Sequence, residues 1–333
     1  MLPSYIKGLL KFATPIAVLV LGAITVAKGQ EIAISRGTVV GVLADERHFT
    51  AKERLTAKNY PPVPAKASSL LASTEGNVFL RVAEGEIENQ EANQAAEKAL
   101  AEAEQLLQQG SVESRQQAII KYEEALSHWR TIRNIHSEAT TLNNIGRVYS
   151  SLGEKQKALD YYNQALFLFQ AVGDHVNEAN TLNNIGAVYS SLGENQKAFS
   201  YYNQALYFRR AVGDRGGEAA TLNNIGGFYS SLGEKQKALD YYNQALSLRR
   251  AVGDRSAEAN TLNNIGAVYF SLGEKQKALD YCNQALPLFQ ALGDRGGEAD
   301  TLHNISAVYF SLGENQKALD YYNQALSLRQ LSY

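Results

Sequence analysis

The six residues TLNNIG at Thr141–Gly146 return at Thr181, Thr221 and Thr261, and once more as TLHNIS at Thr301. A second string, GEKQKALDYYNQAL, begins at Gly153 and Gly233, with close variants at Gly193, Gly273 and Gly313. Both recur every 40 residues. A fixed period of this size marks a solenoid of stacked units, none of which can bury its apolar face alone. Within one unit, Ala139–Leu152 and Glu154–Val172 each carry apolar residues at helical spacing. Gly153 separates them; Gly173 and Asp174 supply a helix stop and the N-cap of the next helix. Each unit therefore reads as a helical hairpin, and the chain as all-α.

The spacing inside the unit resembles a named family. Leu142, Ile145, Gly146 and Tyr149, followed by Ala158, Tyr162 and Ala165, match the tetratricopeptide pattern W-x2-L-G-x2-Y…A-x3-F. The match repeats through Gly186, Gly226 and Gly266, with Ser306 in place of the last glycine. Leucine stands where the pattern has tryptophan. The closing proline is missing, its place taken by Gln170, Arg210, Arg250, Gln290 and Gln330, so the second helix is expected to run longer. A 40-residue variant of this kind is similar to the arrays of kinesin light chains and Leu-Gly-Asn repeat proteins. The resemblance implies a right-handed α-solenoid with five repeats over 139–333. Ala118, Tyr122 and Ala125 stand 40 residues before Ala158, Tyr162 and Ala165. They imply a degenerate capping repeat over 86–138, with Gln90–Gln109 as first helix and GSVESRQ as a long loop.

Ahead of the array the chain changes character. Lys7 and Lys11 precede an uncharged run from Phe12 to Ala27, and Ala27-Lys28-Gly29 presents small residues at signal-peptidase positions. Residues 1–29 read as a signal peptide or an uncleaved membrane anchor, and the protein as exported (periplasmic or extracellular) or membrane-tethered through residues 12–27. Residues 30–85 read as a linker: Ile32–Leu43 and Asn77–Ala83 are candidate strands, and Asn59–Lys66 is rich in proline.

Two adjacent asparagines are odd in a helix, each costing roughly 0.5–0.7 kcal/mol relative to alanine. On a helical wheel Thr140, Asn143, Asn144, Arg147, Ser150 and Ser151 share one polar stripe opposite Leu142, Ile145 and Tyr149. In tetratricopeptide solenoids the first helices line the concave wall, so the resemblance places the stripe there. Asn144, Asn184, Asn224, Asn264 and Asn304 would then form a ladder, flanked by Asn143, Asn183, Asn223, Asn263 and His303. O-linked N-acetylglucosamine transferase is similar in carrying asparagines at this position that grip a peptide main chain. An amide offers both donor and acceptor, as a peptide backbone does. The competing reading is that the amides bond neighbouring helices and hold no ligand. Arg147 is the stripe's one basic residue, with Ala187, Gly227, Ala267 and Ala307 in its place further on. Phe270 and Phe310 replace Ser150, Ser190 and Ser230, as an apolar landing site or as cover for the end of the stack.

Other chemistry is sparse. The net charge of −2 and pI near 6.3 give no electrostatic footprint for nucleic acid. His48, His128, His136, His175 and His303 have no metal-ligand spacing. Cys282, the single cysteine, occupies an aromatic core position and reads as filler. Gly213-Asp214-Arg215-Gly216-Gly217 has no strand before it and no lysine after it, unlike a phosphate loop. Pro287 is expected to kink its helix. The chain also resembles bacterial tetratricopeptide proteins that commonly carry an N-terminal β-rich segment and a caspase-like protease. The 333 residues hold no counterpart of that protease. The expectation is a non-enzymatic scaffold without cofactor, binding a protein or peptide partner. Its alternative is a spacer or an end-to-end self-associating solenoid.

Overall fold

The computed structural model describes residues 65–330. The segment 1–29 and the candidate strand Ile32–Leu43 lie outside the described residues. The chain divides into two units, Met1–Val78 and Phe79–Tyr333. Twelve helices follow one another among the described residues: α1 Ala65–Gln108, α2 Val112–Thr131, α3 Ile135–Ser151, α4 Lys155–Val172, α5 His175–Ser191, α6 Asn195–Val212, α7 Arg215–Ser231, α8 Lys235–Val252, α9 Arg255–Ser271, α10 Lys275–Leu292, α11 Arg295–Ser311 and α12 Asn315–Gln330. From α3 on they pair as five hairpins of the solenoid, α3 with α4 through α11 with α12.

Two local expectations are corrected. Asn77–Ala83 is helical, inside the 44-residue α1, which begins 21 residues before the expected boundary at 86. Val78, Phe79 and Val82 have strand preference, but that preference is contextual and no partner strand exists among the described residues. Alanine- and glutamate-rich sequence on the C-terminal side favours extending a helix already nucleated. GSVESRQ is not a long loop either. Ser111 caps α2, its hydroxyl accepting from the Ser114 amide at 2.9 Å, and the helix starts at Val112. Ala103 is buried in one core cluster with Ala118 and Tyr122.

Each hairpin closes on one contact. A Cβ added to Gly146 would stand 2.7 Å from Cδ1 of Tyr162, and Gly186 and Gly226 face Tyr202 and Tyr242 in the same way. The missing side chain lets the ring lie directly against the first helix. Where Ser306 replaces glycine, its hydroxyl donates to the Ala318 carbonyl at 2.7 Å. At the far end of the hairpin two tyrosines stack, Tyr149 on Tyr161 at 5.4 Å, with the Lys157 ammonium 5.1 Å over the first ring. All five repeats carry this stack.

The joint between repeats explains the absent proline. Gln170 and Gln290 donate to Glu178 and Glu298, while Arg130, Arg210 and Arg250 pair with Glu138, Glu218 and Glu258. The second helix runs through this position and two residues beyond it, as far as left-handed Gly173, Gly213, Gly253 or Gly293, and the following aspartate caps the next repeat. The preceding side chain sits in the joint and differs between copies. Trp129, Phe169 and Phe289 fill it with an aromatic ring, Arg209 and Arg249 with a guanidinium. Arg209 is only 5% exposed. It pairs with Asp214 and donates to Asn180 Oδ1 at 2.6 Å, leaving Nε without a partner. Gly217 makes the room, since a Cβ there would overlap the guanidinium; Gly297 does the same for Phe289. Pro287 lies on the exposed side of α10, which continues through it.

Two substitution pairs test this packing. Gly226→Ala overpacks the buried Tyr242 ring, at about 1–3 kcal/mol, against a helix-propensity gain of about 1 kcal/mol, so the urea midpoint falls. Gly227→Ala, whose Cβ would lie 3.5 Å from the Tyr242 hydroxyl, keeps only the gain and raises it. In the second pair, Arg209→Phe copies the Phe289–Gly297 joint, removes the unpartnered Nε and leaves Asp214, which is partly exposed, its cap bond to the Gly217 amide, so the thermal midpoint should rise. Arg209→Ala leaves a cavity and lowers the thermal midpoint.

Candidate functional site: the amide-lined inner face

The backbones of successive first helices, α3, α5, α7, α9 and α11, approach one another at every step, whereas successive second helices meet only through side chains, as Arg250 of α8 does with Gln284 of α10 at 3.5 Å. The stack therefore bends with the first helices inside, and the asparagines ride on these inner helices. They are half-buried. Asn184 Nδ2 donates to Asn143 Oδ1 at 3.3 Å, Asn224 to Asn183 at 3.1 Å, Asn264 to Asn223 at 3.3 Å and Asn304 to Asn263 at 2.9 Å. The second asparagine of each repeat thus holds the first asparagine of the repeat before. Thr181 and Thr261 hydroxyls add bonds to the same acceptors, Asn143 and Asn223. The amides are in register along the stack, and part of their capacity is taken up by joining repeats. Four Nδ2 groups, on Asn143, Asn183, Asn223 and Asn263, and four Oδ1 groups, on Asn184, Asn224, Asn264 and Asn304, have no hydrogen bond among the described residues.

The ends of the face differ. At the N-terminal end Arg147 is exposed and makes no ion pair among the described residues. It lies near the Tyr122 hydroxyl, which donates to Glu104 at 2.5 Å. Burial, reinforced by the Glu104 carboxylate, pushes the Tyr122 hydroxyl up from its ordinary range. At the other end His303 replaces the acceptor asparagine; it is exposed, with its ring 6.2 Å from Tyr322. Phe270 is half-buried against Ile305 and Val308 of the next repeat, whereas Phe310 is exposed. The landing-site residues therefore part company: one is joint filler and one is free.

Among the described residues no three His, Cys, Asp or Glu groups converge as a metal site. His136 Nδ1 lies 3.3 Å from Asp174 Oδ2 and His175 Nδ1 2.9 Å from Glu178 Oε2 at the first joint. Two clefts, about 330 and 450 Å³, lie along the second helices, beside Asn243, Arg250 and Tyr281 and beside Asn203, Tyr207 and Arg210. Sequence reading missed the exposed aromatics Phe167 and Tyr207 at equivalent positions of two second helices, the latter lining one of these clefts. Their signal is visible in retrospect: aromatic residues stand where Ser247, Pro287 and Ser327 occupy the other copies. No helix of the described residues is long and apolar enough to cross a membrane.

Comparison with known proteins places this architecture. A tetratricopeptide-repeat family model matches residues 112–171, 168–211, 177–251 and 257–330, together more than half of the chain. The chain belongs to the tetratricopeptide repeat family, whose members are generally non-catalytic scaffolds for protein interaction. Among solved structures, BtubC (BKLC) from P. vanneervenii is 22% identical, with 72% of this chain and 92% of that one covered and a TM-score of 0.54. Aspartyl phosphate phosphatase F from Bacillus subtilis is 16% identical over 88% of this chain and 80% of its own, at 0.55. A Rap protein complexed with Competence and Sporulation Factor is 15% identical over 70% and 74%, at 0.51. These likenesses show the fold. No curated protein matches the sequence.

Cys282 takes the place of the hairpin tyrosine, its sulfur 2.8 Å from where a Gly266 Cβ would be. Burial pushes its thiol up to about 11. The nucleophilic thiolate is therefore scarce at pH 8. Labelling by a thiol reagent at that pH should be slow in the native chain and fast in urea; fast native labelling would show that this joint opens readily.

Proposed function

We propose that this protein is a non-enzymatic scaffold that holds an extended peptide segment of a partner protein along its inner face. The observation supporting this reading is the pattern of unengaged groups in the amide ladder. Each inter-repeat asparagine pair uses one donor and one acceptor on itself and leaves one of each. That remainder matches the N–H and C=O of an extended backbone, which any sequence presents. Specificity then comes from the ends, where Arg147 receives an acidic group and the neutral middle, with Ala187, Gly227 and Ala267, accepts uncharged side chains. The Rap structure with Competence and Sporulation Factor is a precedent for a second molecule held on this fold. We infer further, from the apolar run Phe12–Ala27, that the scaffold acts outside the cytoplasm or tethered at a membrane.

Magnitude sets the strength. Each bond nets about 0.5–1.5 kcal/mol, and ordering the peptide offsets part of the sum, so micromolar affinity is expected. The structure also tells how to separate binding from stability. Asn183→Asp with Asn223→Asp keeps the Oδ acceptors that join the repeats but deletes the outward donors. Peptides selected from a random display library on the wild-type chain should bind this variant more weakly by about 1–3 kcal/mol, with the thermal midpoint nearly unchanged. Asn184→Ala with Asn224→Ala should instead lose stability as well, by about 0.5–1.5 kcal/mol per bond. Peptides bound equally by the aspartate variant would make the ladder purely structural.

A further inference from the structure

The position four residues after the hairpin alanine is tyrosine at Tyr122, Tyr162, Tyr202, Tyr242 and Tyr322, with Cys282 the exception. Phenylalanine, the residue of the family pattern, would fill the same ring contact, so packing alone does not call for the hydroxyl. The side chain at this position points toward the inner face. The Tyr242 hydroxyl lies 3.5 Å from where a Gly227 Cβ would be, the Cys282 sulfur 4.0 Å from Asn263 Oδ1, and the Tyr322 ring 6.2 Å from His303. Gly227, Asn263 and His303 all belong to the polar stripe. Three of the rings are almost wholly buried, Tyr162 and Tyr202 at 2% exposed and Tyr242 at 5%. Their hydroxyls make no hydrogen bond among the described residues, yet they are not shut in. The sealed polar atoms without a partner there belong to Trp129, Arg209, Thr221 and Arg249 instead. Small neighbours leave the hydroxyls uncovered, since Ala187 and Gly227 stand where Arg147 stands in the first repeat.

Tyr122 shows what such a hydroxyl does when an acceptor is within reach: it donates to the Glu104 carboxylate at 2.5 Å. Burial pushes the Tyr162 and Tyr202 hydroxyls up to about 12, so they stay protonated donors at neutral pH. From this geometry we infer that Tyr162, Tyr202 and Tyr242 form a second row of donors beside the asparagines, selecting peptide residues whose side chains carry an acceptor oxygen. This rests on the peptide-binding reading and adds selection to it: the asparagines match any main chain, whereas the hydroxyls discriminate between side chains. Burial alone shifts Tyr202 and Tyr242, while the Arg147 charge also acts on Tyr162. The oxygen taken at the first repeat is therefore a carboxylate. At the second and third repeats it is the neutral oxygen of Asn, Gln, Ser or Thr. At the fourth, Cys282 ends the row, a thiol being a weak donor.

Two display selections with random peptides test it, one on the wild-type chain and one on Tyr202→Phe with Tyr242→Phe. Phenylalanine keeps the rings on Gly186 and Gly226, so this variant should retain wild-type circular dichroism and thermal midpoint. Peptides taken by the wild type are expected to carry Asn, Gln, Ser or Thr at two positions that the variant no longer selects. They should bind the variant roughly two- to tenfold more weakly per hydroxyl lost. Alanine at those two positions should weaken binding to the wild type and leave binding to the variant unchanged. Cys282→Tyr, which copies the Tyr242–Gly226 contact against Gly266, should add one more such position. Peptides held equally by the wild type and the phenylalanine variant, yet weakened by Asn183→Asp with Asn223→Asp, overturn this inference and leave the asparagine ladder standing. Peptides weakened by neither variant, or no selected peptide at all, overturn both readings.

Discussion

A tyrosine ring lying against a helix where a glycine has no side chain sets the geometry on which everything else in this array is built. With Gly146, Gly186 and Gly226 facing Tyr162, Tyr202 and Tyr242, the two helices of a hairpin come closer than any side chain would allow. That approach puts Leu159 and Tyr162 in position to receive Ile185 and Val188 of the next copy. Close packing transmits the geometry: a ring 2% exposed has nowhere to move. Repeating one hairpin distance and one joint makes the inner helices meet and the outer ones diverge, so curvature follows from local contacts.

Within that frame the copies differ mainly at the joints. The glutamate near the start of each first helix is held by Arg130, Gln170, Arg210, Arg250 or Gln290, so the position where the family pattern closes with proline here ties one repeat to the next. The deeper joint position alternates between aromatic rings toward the ends and guanidinium groups in the middle. Since a solenoid's stability is nearly a sum of repeat and neighbour terms, joints with an unsatisfied guanidinium Nε at Arg209 and Arg249 are the weaker links. Opening is then expected to start around the third repeat, away from the aromatic joints.

Much of this was legible in the sequence because a 40-residue period exposes each position five times. Hairpins, caps and core positions such as Leu142, Ile145 and Tyr162 follow from periodicity alone. Three features did not. The helical state of Asn77–Ala83 lies outside the period, where a strand-like composition had no repeated copy to contradict it. The clamp at Gln170 reads as a missing proline until its partner, eight residues on, is seen. The asparagine bonds join residues 41 apart, and a wheel drawn on one helix shows a direction but not a partner.

That last point changes what the paired asparagines mean. A single amide on the inner face would leave the choice between structure and ligand binding open, because one group can serve either end. Two adjacent amides per repeat remove the conflict. One side of the pair joins the neighbouring hairpin, which fixes the side-chain rotamers, and the other side keeps a donor and an acceptor at a set spacing. Groups immobilised beforehand lose less entropy when a ligand arrives, so in the proposed function the bonds that stabilise the stack also prepare the face. On the proposed reading, the cost of asparagine in a helix is offset twice, once in the joint and once on the face.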